Sequence, residues 1–160
     1  MKKKWVWAVS GRYLVIYIVI LGILTSGRIF AESENAQEAA VAAAETWLQL
    51  VDGGEYVKCW EQAAGYFKAI MKQQAWIDSI RPLRESLGKL VARRLIGRQY
   101  VTTLPGAPDG EYVVIQFETI FENKELAIET VTPMRDADGL WRVSGYYIKS
   151  CMSKLRLKKA

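Results

Sequence analysis

Residues 111–148 read EYVVIQFETIFENKELAIETVTPMRDADGLWRVSGYYI, and this stretch decides the fold. Apolar and polar residues alternate along it in three runs, which predicts three β-strands at 111–121, 125–135 and 140–148. Polar turns at 123–124 and 136–139 separate the runs, and such short turns join antiparallel neighbours. We therefore expect an antiparallel meander.

The segments before the meander complete the predicted fold. Residues 90–104 read as a further strand with a bulge or bend at Gly97, and the cluster PGAPDG at 105–110 is a turn. Upstream, apolar residues recur at helical spacing in three stretches. The predicted helices cover residues 36–51, 55–64 and 73–79, with the last resuming after Pro82. The expected class is α+β, with three N-terminal helices packed on a curved four-stranded antiparallel sheet.

Hairpin register predicts which side chains face the helices. A two-residue loop at 123–124 pairs Phe121 with Leu126, and a four-residue turn at 136–139 pairs Met134 with Trp141. One face of the sheet then collects nine residues: Ile115, Phe117, Phe121, Leu126, Ile128, Met134, Trp141, Val143 and Tyr147. We expect the helices to cover this face.

The N-terminal segment is typical of an export signal. Four basic residues lie within the first twelve, an uncharged apolar run follows at 13–24, and Ala31 suits cleavage. We therefore expect a signal peptide at 1–31, a single domain at 32–148 and a basic tail at 149–160. The alternative is an uncleaved anchor in the inner membrane formed by residues 5–27. Both interpretations place the domain outside the cytoplasm, in the periplasm or secreted.

Charge and composition exclude several kinds of function. The chain has 22 basic and 17 acidic residues, but the two ends carry ten of the basic and none of the acidic residues, so residues 32–148 hold 12 basic and 17 acidic residues. Nucleic-acid binding is therefore not expected, because it needs a basic face on the folded body. The chain contains no histidine, which removes histidine bases and most zinc sites. We expect no metal and no cofactor, and a disulfide between Cys59 and Cys151 is possible in an oxidising compartment.

Three groups of residues are candidate sites. An apolar pocket between helices and sheet would be lined by Trp60, Phe67, Trp76, Trp141 and Tyr147, although most such aromatic residues simply fill a core. Arg93 alternates with Arg94 on a strand, so it can point inward and hold a ligand carboxylate or pair with a helix carboxylate. Glu118 and Glu129 lie opposite each other in the predicted register and could share a proton as an acid–base pair. The competing interpretation of that pair is a solvated sheet face.

Several strings resemble one family. They are LPGAPDGEYVVIQFE at 104–118, ETVTPM at 129–134 and DGLWRVSGYYI at 138–148. They are similar to the domain of unknown function 4019 family, found in exported bacterial proteins, over nearly all of residues 38–148. The resemblance implies export and does not indicate which activity, if any, the domain has. A weaker, fold-level likeness to the nuclear-transport-factor-2-like (cystatin-like) fold implies helices cupped in a curved sheet.

Three functions fit these observations. The leading hypothesis is a non-catalytic exported module that binds a small apolar ligand or a protein partner. The second is a small isomerase- or dehydratase-like enzyme, which requires an acid or tyrosine buried in the cup. The third is a structural homodimer that uses one sheet face, with Tyr112, Val114, Ile120 and Tyr146 exposed on it.

Overall fold

The structure is a computed structural model that describes residues 33–150, without the side chain of residue 150. Contacts divide the chain into Met1–Asn35 and Ala36–Ala160, and the fold below is that of the second unit. The predicted signal peptide, its cleavage site and the basic tail from residue 151 onward lie outside the described residues, as does Cys151. Among residues 33–150, none of the helices has the length and apolar character needed to cross a membrane.

The described part of the chain contains four helices. Helix α1 covers residues 33–52, and three more follow: α2 at Tyr56–Glu61, α3 at Gly65–Ile70 and α4 at Gln73–Leu87. The expected count of three is therefore wrong. The predicted second helix stops early because Ala64 adopts an extended conformation, with φ −57° and ψ 151°, and a separate helix starts at Gly65.

Helix α4 runs without a break through Pro82. Proline lacks a backbone N–H, so the Asp78 carbonyl one turn earlier loses its helical partner. Both residues lie on the exposed side of α4, where water can hydrogen-bond that carbonyl. The opposite side carries Trp76, Ile80 and the other buried residues, so packing holds the helix together across the proline.

The sheet has the predicted strands and order. Strand β1 is Leu90–Val101, β2 is Tyr112–Phe121, β3 is Lys124–Arg135 and β4 is Trp141–Ser150. All neighbouring pairs are antiparallel in the order β1-β2-β3-β4. The expectation of an α+β chain with a four-stranded antiparallel sheet is confirmed.

The predicted register of β2 against β3 is wrong by one residue. Phe117 pairs with Glu129, where the sequence predicted Thr130. The hairpin turn falls one residue earlier, since Phe121 pairs with Lys124, and a bulge then adds one residue to β3, where Glu125 and Leu126 lie opposite Ile120. A shift of one residue exchanges the two faces of a strand. Strand β3 therefore turns Ala127, Glu129 and Val131 towards the helices and Leu126, Ile128 and Met134 away from them.

A second bulge redirects β4. Pro133 lacks the N–H that a regular ladder requires, and the register shifts between Thr132 and Pro133. As a result Val143 and Tyr146 both point towards the helices, although three positions separate them. Tyr147, predicted to face inward, is instead 64% exposed on the other side of the sheet.

The core lies between the helices and the inner face of the sheet, and three indole N–H groups join the helices there. Trp47 Nε1 donates to the Cys59 carbonyl at 2.8 Å, and Trp76 Nε1 donates to the Tyr56 carbonyl at 3.1 Å. Trp60 Nε1 donates to the carbonyl of Met71 at 2.6 Å. These bonds satisfy buried carbonyls of short helices, which propensity alone would not stabilise.

Candidate functional site

A group of polar side chains lies inside the apolar core, where the sequence predicted an almost wholly apolar face with Arg93 as a candidate inward residue. We call it the polar cluster, and its members are Asp52, Arg84, Arg93, Thr119, Glu129 and Tyr146. Helices α1 and α4 and all four strands each contribute one member. The cluster therefore connects the ends of two helices to the whole width of the sheet.

Glu129 is the centre of the polar cluster and is completely buried. Its Oε2 accepts hydrogen bonds from Thr119 Oγ1 at 2.5 Å and from Arg93 Nε at 2.7 Å. Its other oxygen, Oε1, accepts a hydrogen bond from Tyr146 Oη at 2.5 Å. A buried carboxylate is tolerated only when it is paired and hydrogen-bonded, and Glu129 meets both conditions.

Asp52 is the second carboxylate of the polar cluster, at the end of α1. The Arg93 guanidinium donates to both of its oxygens, from Nη1 at 2.7 Å and from Nη2 at 3.0 Å. Arg84 Nη2 donates to the same carboxylate at 2.8 Å. Two arginines thus face two carboxylates, so the buried charge sums to zero.

Arg84 is the least satisfied member of the polar cluster. Its Nη1 is buried without a hydrogen-bond partner and lies 3.7 Å from Glu129 Oε1. The guanidinium carbon lies 4.6 Å from the centre of the Phe121 ring, a distance at which a cation and an aromatic face attract. The ring thus supplies part of the stabilisation that Nη1 does not obtain from a hydrogen bond.

Burial and pairing shift two ionisation equilibria in the polar cluster. The pKa of Tyr146 lies well above its ordinary value, first because burial disfavours the phenolate and second because the Glu129 charge repels it. Burial alone would lower the pKa of Arg93, but its hydrogen bonds to Asp52 and Glu129 outweigh burial and raise that pKa. Tyr146 is therefore a neutral donor and Arg93 a permanent cation.

These contacts assign the polar cluster a bracing role in the fold. Each carboxylate is occupied by donors from neighbouring elements, which leaves little capacity to bind a substrate. The cluster reaches the surface at one cleft of about 330 Å³, where Asp52 and Arg84 lie beside Tyr56, Glu85, Lys89 and Glu122. Within residues 33–150, no group of three acidic or cysteine side chains is arranged to hold a metal ion.

The aromatic residues predicted to line a pocket mostly pack against one another. Phe67 and Trp76 are buried, with ring centroids 5.5 Å apart and nearly perpendicular planes. Trp60 and Trp141 are half-buried at the margin of the core, and Tyr147 lies on the opposite side of the sheet. The structure does not bring these five residues to one site, and their role in ligand binding stays a prediction.

The predicted carboxylate pair does not form. Glu118 lies opposite Ile128, and its carboxylate accepts a hydrogen bond from Arg94 Nη2 at 3.0 Å in an exposed ion pair. Glu129 lies on the opposite face, because the one-residue register shift turns it inward. The inward arginine is Arg93. It pairs with the carboxylate of Asp52 on helix α1, as predicted by the second of the two interpretations, and not with a ligand carboxylate.

Four members of the polar cluster were missed by sequence reasoning: Asp52, Arg84, Thr119 and Tyr146. Thr119 follows the alternation predicted for β2, whereas the inward position of Glu129 depends on the bulge in β3 opposite Ile120. By sequence alone, Asp52 belongs to the Asp-Gly-Gly string at 52–54 that ends the first helix. Cys59 is buried and is not in a disulfide with any described residue.

The outer face of the sheet is the second feature that can support a function. We define it by six apolar side chains that point away from the helices: Val114, Ile120, Leu126, Ile128, Met134 and Tyr147. Ile120 is 40% exposed and the other four aliphatic residues are half-buried among their neighbours. Tyr112 and Tyr146, which were expected on an exposed face, are buried and half-buried instead.

Comparison with known proteins gives one match. A model of the DUF4019 family, described as a protein of unknown function, matches residues 43–146. No curated protein matches the chain. No solved structure matches it either. The matched range includes every member of the polar cluster and most of the sheet, and on this evidence the chain belongs to the DUF4019 family.

Proposed function

We propose that this chain is an exported, non-catalytic interaction module that binds a protein partner through the outer face of its sheet. The proposed location is the periplasm or the external medium, and the N-terminal apolar run with its basic start supports it. The helices before a four-stranded antiparallel sheet also support a cystatin-like or nuclear-transport-factor-2-like arrangement, which we include in the proposal.

The apolar outer face is the observation that carries the proposal. Large apolar side chains on an antiparallel sheet are normally buried against another layer, and here the helices occupy only the inner side. Tyr147 and Ile120 remain exposed at positions where a solvated strand would carry polar residues. An uncovered apolar face of this kind is typical of a protein interaction site.

The polar cluster supports the non-catalytic part of the proposal. A catalytic acid or base must reach the substrate proton within hydrogen-bond distance. Glu129 has no exposed surface, and three neighbouring donors already occupy its oxygens. The stabilising role of these contacts therefore explains the buried charges without a reaction.

Site-specific photo-crosslinking in the producing bacterium tests the proposal. A photoreactive phenylalanine analogue replaces Ile120 on the outer face, and a matched variant carries it at Ile70 on α3. Ile70 is 62% exposed, so both probes reach the surrounding solution. The proposal expects a protein adduct from position 120 and none from position 70. Equal adduct formation at both positions, or none at position 120, would overturn it.

An enzyme is the second candidate, because the cup does contain a buried acid and a tyrosine with a raised pKa. A working Glu129–Tyr146 pair would require the polar cluster to open to small molecules while the protein stays folded. Tyrosinate absorbance and circular dichroism measured together during an alkaline titration decide this, with Tyr146→Phe as the reference. Ionisation of Tyr146 in the folded protein would favour the enzyme, whereas ionisation only on unfolding favours the brace.

A further inference from the structure

The outer face has a protruding residue and a hollow side by side. Tyr147 and Gly145 both point outward on β4, where they pair with Thr130 and Thr132 of β3. Tyr147 is 64% exposed, and Gly145 has no side chain. A Cβ at Gly145 would meet Thr132 at 3.7 Å, an ordinary contact, so the monomer does not require glycine there for space. The knob and the hollow lie about 7 Å apart along the strand.

This arrangement is self-complementary under a twofold rotation. The axis lies parallel to the plane of the sheet and perpendicular to the strands, and it crosses β4 between Tyr147 and Gly145. Rotation about it brings the outer faces of two copies together and reverses the strand direction. Each Tyr147 then lies over the Gly145 of the other copy. The same axis crosses β3 at Val131, which pairs with Tyr146, and it exchanges positions three residues to either side. Ile128 of one copy therefore faces Met134 of the other.

The charges at the margin fit the same rotation. Lys149 pairs with Ile128, and Arg142 pairs with Met134, so the two positions exchange under the axis. Arg142 is held by Asp136 at 3.0 Å and by Asp138 at 2.7 Å, and Arg135 of the same turn pairs with Glu111 at 3.2 Å, so these five side chains carry one net negative charge. Lys149 of each copy would thus meet an acidic turn of the other. Residues that repel under such a rotation would argue against self-association, and the central positions carry none.

The size of the outer face is sufficient for a dimer. Four strands of at least ten residues, spaced about 4.8 Å apart with a rise of about 3.3 Å per residue, present roughly 600 Å² of projected face. Two such faces bury on the order of 1,200 Å², which reaches the lower bound for a specific protein interface. Sheets stacked in this way cross at about 30°, which keeps the strands near antiparallel.

We propose that the partner bound by the outer face is a second copy of this chain, packed face to face about this twofold axis. The inference rests on the proposed interaction role and names its partner. It explains why an exposed tyrosine and a glycine alternate on an edge strand, and why Ile128 and Met134 lie equally far from Val131.

Crosslinking between two tagged copies of the full chain in the producing cell tests the geometry. Cys151→Ser is present in both copies, and Cys59 is buried and unreactive. One copy carries Ile128→Cys and the other Met134→Cys, and a short bis-maleimide is added. The matched control combines Ile128→Cys with Ile70→Cys. The dimer predicts a product containing both tags from the first pair and at least ten-fold less from the control. Tyr147→Asp should remove the product, because it buries a charge twice.

The outcomes separate the inference from the proposed function. Absence of the two-tag product, together with an adduct of a different protein at position 120, overturns the homodimer and leaves the interaction role standing. An adduct within one copy, formed between the photoreactive residue at position 120 and the apolar N-terminal segment, also overturns the homodimer. Absence of every adduct overturns both.

Discussion

Removing the negative charge of Glu129 tests the bracing role of the polar cluster most sharply. Glu129→Gln keeps the size of the side chain but leaves Arg84 and Arg93 with Asp52 as their only anionic partner. One uncompensated positive charge then lies in the core. The new amide also offers hydrogens towards Arg93 or Tyr146, where only acceptors are useful.

The size of the effect follows from the burial of the pair. Breaking a buried ion pair by removing one partner costs about 3–5 kcal/mol, since the remaining charge stays desolvated. Glu129 is fully buried and Arg93 Nε lies 2.7 Å from it, so we expect a loss near 4 kcal/mol in the free energy of unfolding. The loss should be partly recovered in Glu129→Gln with Arg84→Met, which restores the charge balance.

Urea unfolding followed by tryptophan fluorescence measures this change. Trp47 lies 5.3 Å from Tyr146 between ring centroids, so its emission reports on the surroundings of the polar cluster. Glu111→Gln is the matched control, because Glu111 forms an exposed ion pair with Arg135 just before β2 and such pairs contribute at most about 1 kcal/mol. Equal small losses in both variants would refute the bracing role. A double variant less stable than Glu129→Gln would refute the charge-balance explanation.

Three further predictions concern stability. The pKa of Tyr146 is raised, so the folded state retains this proton longer, and this residue alone should lower stability by about 1.4 kcal/mol per pH unit above pH 10; Tyr146→Phe reduces the slope in alkaline urea titrations by that amount, while the contributions of Tyr56 and Tyr112, whose pKa values are also raised, remain. Burial raises the pKa of the Cys59 thiol to about 12, which predicts a similar loss beginning near pH 9 that Cys59→Ala abolishes. Gly54 has φ +72° in open space, so alanine there should cost about 1 kcal/mol, whereas at Gly88, with φ +77°, the added Cβ also lies 3.0 Å from the Cβ of Glu122 and should cost more. Thermal unfolding measures these losses. Gly97→Ala is the neutral control, because Gly97 lies in open space with an ordinary φ.

Strand positions were the most predictable part of the fold. The alternation of residues 111–148 places three strands to within about two residues of their observed ends, because each run is bounded by turn residues with a clear physical role. The strand order follows from the short turns. Family membership was also accessible, since the matching strings lie in these strands.

The faces of the strands were not predictable with the same reasoning. A hairpin turn one residue earlier and two bulges, one in β3 opposite Ile120 and one in β4 opposite the Thr132–Pro133 step, decide which side chains of β3 and β4 meet the helices. Their energies depend on tertiary packing, including the burial of Glu129 against Arg93. The composition of the polar cluster therefore could not be read from alternation alone, although Pro133 was a local signal for the second bulge.

The boundary between α2 and α3 was also not predictable from the sequence. The break before Gly65 depends on contacts that sequence periodicity does not contain. The Asp136 carboxylate accepts the Gly65 N–H at 3.3 Å, and the Ala64 N–H donates to the Val143 carbonyl at 2.9 Å. Partners some 70–80 residues away thus fix where α3 begins.

The outer face as a binding surface is tested most directly by photo-crosslinking from position 120 in the producing cell. The yield of crosslinked product is compared between the otherwise native chain and Tyr147→Asp. The two positions lie on β2 and β4, so they influence each other only if the outer face acts as one binding surface. If the outer face binds a partner, Tyr147→Asp removes the crosslinked product while the variant keeps its native circular dichroism. An undiminished product in the folded variant would contradict it.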